Sequence, residues 1–115
     1  MSVIVLKGTI SKEDLVQMAK EPFGDMVKAV VDVRQEIMAI GGELHADEEV
    51  MLSEQENSRR EDTWGINLYP EKPEAEMIEF DSMVNLKPTY GNRSRSVEDP
   101  AVQAKIRAVV AKIVE

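Results

Sequence analysis

Met26-Val27-Lys28-Ala29-Val30-Val31-Asp32-Val33-Arg34 is the stretch that decides the fold class. Val27, Ala29, Val31 and Val33 alternate with Lys28, Val30, Asp32 and Arg34, a period of two that describes a strand buried on one face. After Gln35 and Glu36 the pattern resumes in "IMAIGGELHA" (37–46), so the two segments read as a hairpin. Further on, "TWGINLY" (63–69) sets Trp64, Ile66 and Leu68 against Asn67 and Tyr69. After the turn-rich "PEKPEAE" (70–76), "MIEFDSMVNLKP" (77–88) sets Ile78, Phe80, Val84 and Leu86 against Glu79, Asp81, Met83 and Asn85, a second hairpin.

Helical signals flank and separate these hairpins. Ser11 is an N-cap, Asp14 follows three residues later, Ile10 can staple to Leu15, and Pro22 and Gly24 end the segment. At the other end Asp99 caps a helix that starts with Pro100, and Val102, Ile106, Val109, Val110 and Ile113 form one apolar stripe. Between the hairpins "ADEEVMLSEQEN" (46–57) reads as a short helix capped by Asp47, and Val3–Leu6 as an N-terminal edge strand. The expectation is a single α+β domain over residues 1–115: an antiparallel four- to five-stranded sheet built from two β-hairpins, with helices packed on one face. The opposite face would carry Lys28, Asp32, Arg34, Glu43, His45, Asn67, Tyr69, Glu79, Asp81 and Asn85.

Fourteen basic and twenty-two acidic residues give a net charge of -8, which repels phosphate backbones and argues against nucleic acid as a partner. The charge is uneven: Ser82 to Val97 holds Lys87, Arg93 and Arg95 and no acid, leaving -11 on the rest. No cysteine is present, which excludes disulfides, zinc-thiolate sites and thiol catalysis and fits a reducing compartment. The apolar run Val3–Leu6 is too short for a leader or a membrane span, so a soluble cytoplasmic protein is expected. Open sheet edges, and Val30 on an otherwise polar face, point to a homodimer.

The quoted words "FGDMVKAVVDV", "IMAIGGELHADEE", "EDTWGINLYPE", "IEFDSMVN" and "GNRSRSVEDP" occur in one order that resembles a family of short bacterial and archaeal proteins catalogued only as a domain of unknown function. The resemblance runs from about Ser11 to Val114. It implies no activity, ligand or partner.

Three groups of residues could carry chemistry. His45 is the only histidine. With Leu44 and Ala46 directed into the core, His45 and Glu43 reach the polar face, where the imidazole could act as a base oriented by Glu79 or Asp81. The alternative is a structural histidine beside a helix cap. No metal ligands are assigned; His45 with Asp47 or Glu79 would give at most an oxygen-rich site for a divalent cation. In "YGNRSRSVEDP" (90–100) the forks of Arg93 and Arg95, with Asn92 and Ser94 as lesser donors, describe an anion pocket, unless they pair with Glu98 or Asp99. Glu79 and Asp81 share one strand face, as a carboxylate pair or as ordinary wet surface. No phosphate loop, dinucleotide fingerprint or serine elbow is present, so no nucleotide cofactor is indicated.

The leading expectation is a binding or interaction module that takes an anionic ligand or acidic partner through the arginine loop and the polar sheet face. The alternative is a small hydrolase or isomerase using His45 with Glu79 and Asp81, with or without a divalent cation. In either case His45, Asn67, Tyr69, Glu79, Asp81, Asn85, Arg93 and Arg95 are expected around one concave region.

Overall fold

A computed structural model describes residues 2–115. In chain order the elements are β1 (Ile4–Leu6), α1 (Lys12–Lys20), β2 (Val27–Asp32), β3 (Ile37–Ile40), α2 (His45–Glu56), β4 (Thr63–Leu68), β5 (Ile78–Glu79) and α3 (Pro100–Ile113). The strands form one antiparallel sheet in the order β1-β3-β2-β4-β5. The α+β class and the five-stranded sheet therefore stand.

Both outer helices start where the caps require. Ser11 Oγ accepts the amide of Asp14 at 3.1 Å, and Asp99 Oδ1 accepts that of Ala101 at 2.9 Å. α1 ends as the amide of Gly24, in the left-handed region, donates to the Ala19 carbonyl. Leu15 and Ala19 of α1 and Ile106, Val109, Val110 and Ile113 of α3 pack on Ala29, Val31, Met38, Ile40, Trp64, Ile66 and Leu68.

The one-face arrangement holds for α1 and α3 only. α2 lies on the opposite face, where Leu52 packs with Val30, Ile37, Ala39 and Val84, flanked by Val3 and Val5. β2 is consequently buried on both sides, and Val30, read as a stray apolar residue, is the centre of a second core. The physical reason α2 escaped this placement is its composition: Leu52 is its one buried apolar residue, and its other inward groups are His45 and Glu48.

The first hairpin closes as expected, between Asp32 and Ile37. Buried Asp32 Oδ1 accepts the amides of Arg34 (2.9 Å) and Gln35 (3.1 Å); Oδ2 accepts from Ser58 Oγ (2.6 Å) and Gln35 Nε2 (2.8 Å). Burial works against this carboxylate, but the donors outweigh it and hold its pKa below the usual value. The same contacts tie the turn to the end of α2.

The second hairpin is a correction. β4 and β5 do pair, but β5 is two residues long, and Met83–Asn85 form a single 3-10 turn in place of a continuing strand. Asn85 finishes the sheet instead: its Oδ1 accepts from Gly65 N (2.8 Å) and its Nδ2 donates to Gly65 O (2.9 Å), the two bonds a neighbouring strand would make. The approach requires glycine. A β-carbon on Gly65 would lie 2.5 Å from Ser82 Cβ and 2.8 Å from Val84 Cγ2.

Candidate functional site

Cross-strand register assembles the site. Lys28 of β2 stands opposite Asn67 of β4, and Asn67 opposite Glu79 of β5, so a cation, an amide and a carboxylate form one row on the α2 side of the sheet. α2 covers the neighbouring apolar rows and begins beside this one. The result is an open cleft of about 440 Å³, with Leu44, His45 and Ala46 at one wall and Asp81, Met83 and Arg95 at another. Tyr69 and Met26 also line it.

His45 is not on a strand. The cap of α2 is Leu44, three residues before the expected cap at Asp47, and His45 is the first residue of the helix. Leu44 and Ala46 are exposed, the reverse of the core placement expected for them, while His45 is only 9% exposed. Helical rather than strand geometry causes the inversion. Leucine has no side-chain acceptor, so α2 opens without a side-chain cap, and its first-turn amides border the cleft.

The His45 Nε2 lies 2.8 Å from the Ile66 carbonyl oxygen. A carbonyl can only accept, so Nε2 carries the proton and Nδ1 bears the lone pair. Burial lowers the imidazole pKa, and Lys28 pushes the same way, against the Ile66 carbonyl, Asn67 and Asp81, which favour the cation. The ring is therefore neutral at pH 7. It makes no hydrogen bond to Glu79 or Asp81, so the directly bonded histidine–carboxylate pair is absent.

Those carboxylates have other partners. Glu79 Oε1 accepts from Asn67 Nδ2 (2.8 Å) and the Tyr69 hydroxyl (3.1 Å). Burial, then the Glu79 charge, raises the tyrosine pKa. Asp81 Oδ1 accepts from Arg95 Nε at 2.7 Å, an ion pair about half exposed on both sides. Asn67 is 6% exposed, and its Oδ1 has no partner: it lies close enough to His45 to favour protonation but outside hydrogen-bonding geometry. Among the described residues no three His, Asp or Glu side chains converge as metal ligands, so the donor set does not fit a divalent cation bound by His45, Glu79 and Asp81.

Of the expected cluster, His45, Asn67, Tyr69, Glu79, Asp81 and Arg95 line the cleft. Asn85 and Arg93 do not, nor does Asn92 of the expected anion pocket. Asn85 is fully buried against Gly65, and its Nδ2 also holds the Arg95 carbonyl at 2.9 Å. Asn92 Nδ2 donates to the carbonyls of Asn85, Ser94 and Ser96, while its Oδ1 accepts the Glu98 amide. These asparagines position the loop that delivers Arg95. Arg93 is exposed, and its amide bonds to Glu98 Oε2. Lys87, the third cation of the basic stretch, is buried: it donates to the Arg60 and Thr63 carbonyls and sits 4.1 Å from the centre of the Trp64 ring.

Sequence reasoning left Lys28 and the apolar lip of Met26, Leu44 and Met83 out of the site. Lys28 stood on the expected polar face, but only the register with Asn67 gives it a place, and pairing register is not written in either strand. It makes no ion pair among the described residues; its one aromatic neighbour is Phe23, 5.2 Å away. A larger groove of about 620 Å³ lies along α3, lined by Met77, Ile78, Val110 and Val114 among others, and contains none of the expected residues.

The chain matches the family described as "Protein of unknown function (DUF5674)" over residues 4–113 and belongs to that family. No curated protein and no solved structure matches it. Among the described residues no helix is long and apolar enough to cross a membrane.

Proposed function

We propose that this family member is a small binding module that holds the anionic group of a small polar ligand in the cleft between the start of α2 and the Lys28–Asn67–Glu79 row. The observation that carries the reading is the unpaired Lys28 ammonium, which shares one cleft with the Arg95 guanidinium and the uncapped first turn of α2. A cation without a partner, a helix start without a side-chain cap and an arginine with two terminal nitrogens left over from its Asp81 bond are the components of an anion site. The cleft volume lies within the range of small-molecule sites, which favours a small ligand over an acidic protein segment.

Thermal-shift titration with phosphate and simple carboxylates tests this directly. A carboxylate response that falls at least tenfold in Lys28→Gln and in Arg95→Ala, and is unchanged in Arg93→Ala, supports the site. Equal responses in all three variants would sink it.

A second reading has one observation in its favour. Neutral His45, anchored through Nε2, keeps Nδ1 as an unbonded base at the cleft wall. The hydrolase or isomerase reading would then use His45 alone as base, with Glu79 and Asp81 binding substrate. Turnover of a bound ligand by the native protein and not by His45→Gln would favour it.

We also propose that two copies associate through the outer edge of β1, which pairs only with β3 on its inner side and exposes Ile4. Light scattering at micromolar concentration giving only the 12.9 kDa chain would contradict this.

A further inference from the structure

Resting on the anion-binding reading, we infer that the ligand is a zwitterion of the amino-acid class with an apolar side chain, its carboxylate at Lys28 and the start of α2 and its ammonium at Glu79 and Asp81. Charge balance in the cleft is the first argument. Lys28 and Arg95 are matched by Glu79 and Asp81, and His45 in the same lining is neutral. A simple anion entering this space gains two cations but also approaches two carboxylates, whereas a molecule with both charges satisfies both ends of the row.

Hydrogen-bonding capacity gives the same answer. Glu79 and Asp81 each use only Oε1 or Oδ1, leaving the second oxygen of each for an ammonium. Asn67 is more than nine-tenths buried within this lining, and its Oδ1 is a further acceptor without a partner. An ammonium has three donors and no acceptor, and so fits a corner made of acceptors.

The Asp81–Arg95 pair explains how both ends can be served. Each partner is about half exposed, and an ion pair in that setting contributes little, so it separates at small cost. A zwitterion replaces one protein ion pair by two protein–ligand pairs, ammonium to Asp81 and carboxylate to Arg95. The lip then selects the side chain. Leu44 and Met83 are 57% and 61% exposed, and with Met26 they give the cleft an apolar mouth that the polar floor does not use.

Isothermal titration of the full chain with L-leucine, with 4-methylpentanoate (the same molecule without the amine) and with 3-methylbutylamine (without the carboxylate) separates the possibilities. The expected result is binding of leucine at least tenfold tighter than either fragment, lost in Lys28→Gln and in Glu79→Gln while both variants keep the native melting temperature within a few degrees. If 4-methylpentanoate binds as tightly as leucine, the zwitterion inference is overturned and the anion site stands. If only the amine binds, both readings are overturned, and binding of none of the three at millimolar concentration overturns both as well. Should either variant unfold, comparison of the three ligands on the native protein still decides the matter.

Discussion

Replacing Glu48 by glutamine changes the stability of this protein by an amount that depends on pH. Glu48 is fully buried in the first turns of α2; its Oε2 accepts the Gly42 amide at 2.9 Å, and its Oε1 has no partner. Burial raises its pKa from 4.5 to about 9, against the Gly42 hydrogen bond. The folded chain therefore keeps this carboxyl protonated at neutral pH, while the unfolded chain ionises it above 4.5. Folded protein binds the extra proton between those limits, so stability is highest below pH 4.5, falls as pH rises, and levels off above about 9. At 1.36 kcal/mol per pH unit, the penalty at pH 7.5 is about 4 kcal/mol, and about 3 kcal/mol of it develops above pH 5. Glutamine keeps an oxygen for the Gly42 amide and cannot ionise in either state. Urea unfolding followed by the fluorescence of Trp64, the only tryptophan, measures both proteins at pH 5, 6, 7.5 and 8.5. Glu48→Gln is expected to gain on the native chain by about 3 kcal/mol between pH 5 and 7.5. Two parallel stability curves would refute the buried, proton-holding carboxyl.

Gly65→Ala forces a β-carbon to within 2.5 Å of Ser82 and should destabilise by about 1–3 kcal/mol, the usual cost of overpacking, with weaker ligand binding because the Asn85 clamp positions Arg95; an unchanged urea midpoint would contradict this. Lys87→Met removes the donor that the ammonium supplies to the Arg60 carbonyl and to the buried Thr63 carbonyl and should cost about 1–3 kcal/mol at pH 7. Burial lowers the Lys87 pKa from 10.5 to about 8, so the native chain gains stability as pH rises from 8 to 10.5, and the gap to the variant should widen over that window. NMR of His45 should show the proton on Nε2 at pH 7 and a titration midpoint below 6.5; a midpoint at or above that value would contradict the buried ring.

Hydrophobic alternation made much of the sheet legible. "VKAVVD" and "TWGINL" are six-residue strands in which every second residue enters the α1–α3 core. Caps at Ser11 and Asp99 made the outer helices equally readable. α2 was harder to place because its inward positions include a histidine and a glutamate, residues that sequence patterns assign to water. That misplacement moved His45 onto a strand and gave Asp47 a cap it does not form. Arg93 and Arg95 look equivalent as Arg-Ser-Arg, yet the Ser82 amide and the Asn85 side-chain Nδ2 both donate to the carbonyl of Arg95 and bring only that arginine to Asp81. Long-range asparagine contacts of this kind leave no local periodicity to read.

Because β2 is sandwiched between two apolar layers, its own alternation gives little protection against slippage. Moving it one residue along β4 would exchange Val30 for Ala29 or Val31 beneath α2, valine or alanine in either case. The polar residues near its ends forbid the shift. Displaced by one position, Lys28 would turn toward the α1–α3 core, and Asp32 would leave the Ser58 hydroxyl that ties it to the end of α2. Alignment of this strand is thus proofread by its two charged side chains, and the lysine that opens the cleft is also one of the marks by which the folding chain tells the right pairing from its nearest competitor.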